Sequence, residues 1–76
     1  MDRDLAREHL VQADRHIIEL RRHIALQRQR IKQLAQKRYA TEEAKTMLTL
    51  LEESLVIARR HRDFIHDQLF EKPTTR

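Results

Sequence analysis

The sequence contains no cysteine, no glycine and no tryptophan, and its one proline stands at position 73. Without cysteine there is neither a disulfide framework nor a thiolate metal site. Without glycine, turns that need positive φ lack their default residue, which argues against a hairpin-rich β fold. Aromatic residues are scarce: Tyr39, Phe64 and Phe70. Long hydrophobic runs are missing too. The longest apolar stretch lies around Leu55 to Ile57, far short of the roughly 20 residues that cross a bilayer. The charged start, Met1-Asp2-Arg3-Asp4, lacks the apolar segment of a secretory signal, so cytoplasmic residence without membrane association is the expectation.

What is present is mainly Leu, Ile, Ala, Glu, Lys, Arg and Gln, nearly all strong helix formers. With 76 residues the chain makes one domain at most. A domain that small has much surface for its core and is marginal alone.

The chain is organised around Leu10 to Leu34. Leu10, Ile17, Ile24 and Ile31 recur every seven residues, and Ala13, Leu20, Gln27 and Leu34 repeat the spacing three places on. This is the seam of a helix that packs on another helix. It predicts a first helix over about 3–37, opened by Asp2 or Asp4 and closed by Lys37 and Arg38 at the negative end of the helix dipole. Thr41 followed by Glu42 and Glu43 marks a second start, with Thr41 as N-cap. The second helix is predicted over about 42–70, the turn over 38–41, and a frayed tail over 73–76 after Pro73. Its own seam lines are Leu48, Leu55, Arg62 and Leu69, and Ala44, Leu51, Ala58 and Ile65.

Folding back at Tyr39 sets Ile31 against Leu48, Ile24 against Leu55, Gln27 against Leu51 and Leu20 against Ala58. It also places Arg28 beside Glu52 and brings Arg62 within reach of Asp14. The predicted fold is all-α: an antiparallel two-helix hairpin covering residues 1–72.

More apolar residues exist than one seam uses. Val11, Ile18 and Ala25 form a seven-spaced line on the first helix; Leu50, Ile57 and Phe64 form one on the second. A helical wheel places these lines to opposite sides of the hairpin contact. A second copy would cover them, so the six residues are the expected interface of a homodimer, a four-helix bundle.

Three patterns could carry chemistry. His9, His16 and His23 share one edge of the first helix, His16 falls near His61, and Glu19 lies a turn away. No established metal-ligand spacing occurs and arginines alternate with the histidines, so boundary histidines are expected rather than a metal site, and no cofactor is assigned. A bundle with an outward histidine also suits phosphotransfer by analogy of fold, but none of the five histidines has the flanking context of those families. The basic stretch is the third. Between Glu19 and Glu42 stand seven Lys or Arg and no acid. Arg15, Arg21, Arg22, Arg28 and Lys32 could follow a nucleic-acid backbone, although stacking aromatics are absent there. Neutralisation by Glu42, Glu43, Glu52 and Glu53 on the facing helix is the expected fate of this charge.

The string His23-Ile24…Gln27…Ile31…Leu34, Thr41…Ala44…Leu48…Leu51…Leu55, His61-Arg62-Asp63…Ile65…Leu69 resembles a group of small bacterial helical-hairpin proteins along most of the chain. The resemblance implies a hairpin fold and no assigned activity, hence no site residues. The chain departs from the group at the turn, where a glycine is expected and Arg38-Tyr39-Ala40 stand. With no paired nucleophile and base, no enzyme is expected. The function expected is a non-enzymatic oligomerisation, protein-interaction or regulatory module, a homodimer with room for another protein partner. The alternative is an RNA- or DNA-binding hairpin dimer using the basic face of the first helix.

Overall fold

The computed structural model describes residues 3–70; among them are two α-helices and no strand. Helix α1 spans Arg3–Gln36 and α2 spans Glu42–Leu69. Asp2 and the expected tail at 73–76 lie outside the described residues. The helices pack along one another as an antiparallel hairpin, tied near the turn by Gln27 to Ala44 and far from it by Arg62 to Asp14. The molecule measures 58 × 27 × 13 Å, a slab one helix layer thick. Its radius of gyration is 17.4 Å, against about 11 Å for a compact chain of this length.

The heptad lines account for the burial. Every residue of the four seam lines is buried or half-buried, and the tightest of them are Ala13, Leu20, Ile24, Ala58, Ile65 and Leu69. Ala6, 2% exposed, extends the Ala13 line by one further heptad at the open end. Large residues alternate with alanines in this thin core, as close approach of two helices requires.

The register differs in detail from the simple facing scheme. Gln27 Nε2 donates to the Ala44 carbonyl oxygen at 2.9 Å, whereas Leu51 was expected opposite. Ala44 and Leu51 are one heptad apart, about 10 Å along a helix. One glutamine side chain does not bridge that rise, so Gln27 sits between the two levels. Arg62 Nε bonds Asp14 Oδ1 at 2.9 Å, as expected. The Arg28–Glu52 ion pair forms as expected, with Nη2 at 3.0 Å from Oε2.

The turn has no glycine and solves the problem with Arg38, whose φ is 61°. Tyr39 N–H donates to the Leu34 carbonyl at 2.9 Å and Arg38 N–H donates to the Ala35 carbonyl at 3.0 Å. This pair of bonds is the Schellman closure of a helix C-terminus, which needs a left-handed residue at the position of Arg38. Because α1 ends at Gln36, Lys37 and Arg38 lie past its last turn rather than in it. Thr41 stands at the N-cap of α2, but its hydroxyl makes no capping bond. The reason is its backbone, φ −118° and ψ −3°, which is far from the extended geometry that aims a cap side chain at the first N–H groups. Glu42 and Glu43 supply the favourable charge there.

Two outcomes follow. Arg38→Gly should remove the left-handed penalty and, after the extra freedom glycine gains in the unfolded chain, raise stability by about 0.5–1 kcal/mol, read as a higher urea midpoint. Ile24→Asp places an unpaired charge at a position 5% exposed; it should cost about 4 kcal/mol or more and abolish the helical circular dichroism signal.

Candidate interaction surface

A hairpin one layer thick has two broad faces, and each carries unspent apolar surface. On α1, Val11 and Ile18 are 54% and 57% exposed, and Ala25 is exposed as well. On α2, Leu50, Ile57 and Phe64 are 52%, 65% and 60% exposed. Leu26, Met47, Val56 and Phe70 are exposed hydrophobics outside the expected lines; Val56 and Phe70 also stand one heptad pair apart, a spacing that could have marked them.

The two sets differ in setting. Ala25 lies in a groove between the helices that Ile24, Leu55, Val56, Arg21, Arg28, Glu52 and Arg59 also line, whereas Val11 and Ile18 do not. The small Ala25 side chain leaves the depth. Leu50, Ile57 and Phe64 stand exposed in one line along α2 that begins with Glu43. Glu53 and Asp67 lie on the line beside it, with Arg60 between them. Ser54, next to this line, donates its hydroxyl to the Leu50 carbonyl at 2.9 Å, so covering it would strand no polar group.

The basic stretch is less neutralised than expected. Among the described residues, Arg28 is the one member paired with an acid of α2, at Glu52. Arg15, Arg21, Arg22 and Lys32 are exposed and have no ion pair among those residues. Arg62 is spent on structure. Its Nε donates to Asp14 Oδ1 at 2.9 Å and its Nη1 to Asp63 Oδ1 at 3.2 Å. Those bonds, the one to Asp14 foremost, raise its already high pKa and hold it charged at the edge of the seam.

The histidines do not assemble. His9, His16 and His61 line one shallow groove with Gln12 and Ala13, a groove that Glu19 and His23 do not line. Among the described residues no three His, Asp or Glu side chains converge as a metal ion would need. His9 and His16 are a heptad apart, about 10 Å along the axis, against metal–nitrogen bonds of about 2 Å. No helix among the described residues is long and apolar enough to cross a membrane. No family model, no curated protein and no solved structure matches this chain, so its surface alone speaks for its role.

Proposed function

We propose that the chain is a non-enzymatic self-associating module whose hairpins pack against one another into helical bundles, the homodimer being the smallest. One observation carries this reading: the slab is 13 Å thick and leaves Val11, Ile18, Leu50, Ile57 and Phe64 each more than half exposed. Exposed apolar patches of this kind mark interaction sites in stable proteins. The cytoplasm is the compartment proposed for the chain.

Sedimentation should give a mass at least twice the 9.3 kDa of one chain at micromolar concentration. Ile57→Glu, at a site already exposed, should leave the helical signal intact and lower that mass. A wild-type chain that sediments as a monomer throughout would end the proposal.

A second reading draws on Arg15, Arg21, Arg22 and Lys32, which carry charge with no acid partner among the described residues. Such a face could follow the backbone of RNA or DNA. In that case retention on heparin should fall steeply with salt and vanish in the triple variant Arg15→Glu, Arg22→Glu, Arg28→Glu. Weak retention that the triple variant shares would exclude it.

A further inference from the structure

We infer, on the self-association reading above, which face a second copy covers: two hairpins meet about a two-fold axis at Ile57, with α2 of one copy antiparallel to α2 of the other.

The two broad faces of the hairpin differ in charge. On one, Arg21, Ala25, Arg28, Glu52, Val56 and Arg59 line a common groove. Val11, Ile18, Asp14 and Asp63 continue that face at heptad spacing. On the other, His9, Gln12 and His16 meet His61 across the seam. Nearer the turn, Arg30 meets Glu43 and Met47 on this second face. Leu50, Ile57 and Phe64 stand three or four places from Met47, Ser54 and His61, so they form the next strip of the same side.

Over residues 9–26 of α1 and 47–68 of α2, Glu19 is the one acid or base on the second face apart from its histidines. Over the same lengths the first face carries Asp14, Arg21, Glu52, Arg59 and Asp63. The centre of an interface is depleted of charge, because each ion taken from water costs desolvation. The second copy therefore covers the face with the histidines and the Leu50 line. Val11, Ile18 and Ala25 lie on the opposite face and drop out of the contact.

Symmetry fits that face. Leu50 and Phe64 stand one heptad before and one after Ile57. With Ile57 on the axis, Leu50 of each copy meets Phe64 of the other, over about 21 Å of helix. Beside this line stand Glu53 and Arg60, and Ile57 lies almost midway between them. The same axis sets Glu53 of each copy beside Arg60 of the other. Neither has an ion pair among the described residues. Within one helix they are a heptad, about 10 Å, apart. On the other flank Ser54 falls beside His61 and Met47 beside Gln68, so no like charges meet there. A parallel pairing of the same lines would set Glu53 against Glu53 and Arg60 against Arg60, which charge repulsion disfavours.

The axis also treats Glu19 well. The Arg28–Glu52 and Arg62–Asp14 pairs put Ile57 level with α1 between residues 19 and 23. The two-fold then turns Glu19 towards His23 of the second copy. Because the same patch serves both copies, the contact closes on itself and leaves the arginine-bearing face to water.

The test is sedimentation with circular dichroism to verify folding. Wild type should stop at the dimer as concentration rises. Ile57→Glu should be a monomer, whereas Ile18→Glu, on the opposite face, should remain a dimer. The chain has no cysteine, so Ile57→Cys supplies one thiol per copy at the axis. It should oxidise to a disulfide-linked dimer far faster than Ile18→Cys. Arg60→Glu and Glu53→Arg should each weaken the dimer about tenfold, since each opposes like charges twice. The double variant Glu53→Arg/Arg60→Glu should regain the wild-type affinity, which a pairing other than antiparallel would not allow. The contact is overturned, with self-association intact, by growth past the dimer, by a monomeric Ile18→Glu or a dimeric Ile57→Glu. Equal oxidation of the two cysteine variants, or a double variant as weak as the single ones, overturns it too. A wild-type monomer removes both this contact and the reading it rests on.

Discussion

Everything in this molecule depends on two apolar stripes burying each other along antiparallel helices. An isolated helix of either length in water has little to hold it, since helical stability in proteins comes mostly from packing an amphipathic face. Here that packing runs from Ala6 and Leu69 at the open end to Leu34 and Ala44 near the turn. Leu20 and Ile24 form its best-covered stretch on α1, at 7% and 5% exposure. The seam is long but only one contact wide, so the described residues contain no wholly enclosed large side chain. A second, polar set of contacts works at its edges. Gln27, Arg28 and Arg62 each reach across to the other helix. Two of them stand in the seam lines themselves, where a polar residue fixes register at some expense in stability.

The one-layer shape and the surplus of apolar surface are two sides of the same fact. Two helices can hide one stripe each, and any further apolar line must face outward. The remaining lines flank the seam on opposite sides, one place from it on each helix. Ala25 and Val56 line the groove between the helices together with Arg21, Arg28 and Arg59. Leu50, Ile57 and Phe64 lie on the far shoulder of α2, beyond the reach of α1.

Some of this was legible from residues alone. The seven-residue spacing located all four seam lines, because that spacing is the geometry of the contact. It also located the exposed lines, and the Arg28–Glu52 and Arg62–Asp14 pairs. Ala6 is legible in the same way, since it continues the Ala13 line by one more heptad. The turn was legible only as a break in phase. Nothing about arginine announces a left-handed backbone, and Arg38 takes that conformation because the chain must reverse there and offers no glycine. Thr41 shows the opposite case: the preferred residue type occupies the N-cap, yet the backbone geometry keeps its hydroxyl from the bond. Acids of α2 stand near the basic stretch in sequence register, yet among the described residues only Arg28 pairs with one of them, at Glu52.

By its spacing and composition, the sequence alone determined helices, their number, their antiparallel pairing and the residues that bury each other. These are consequences of local periodicity and of the need to remove apolar side chains from water. Only the tertiary structure decided how the turn closes, how far the seam slides, and which exposed residues line a groove between the helices and which do not. Those depend on the relative placement of two helix surfaces, set by the sum of many side-chain contacts that no single stretch of the chain encodes.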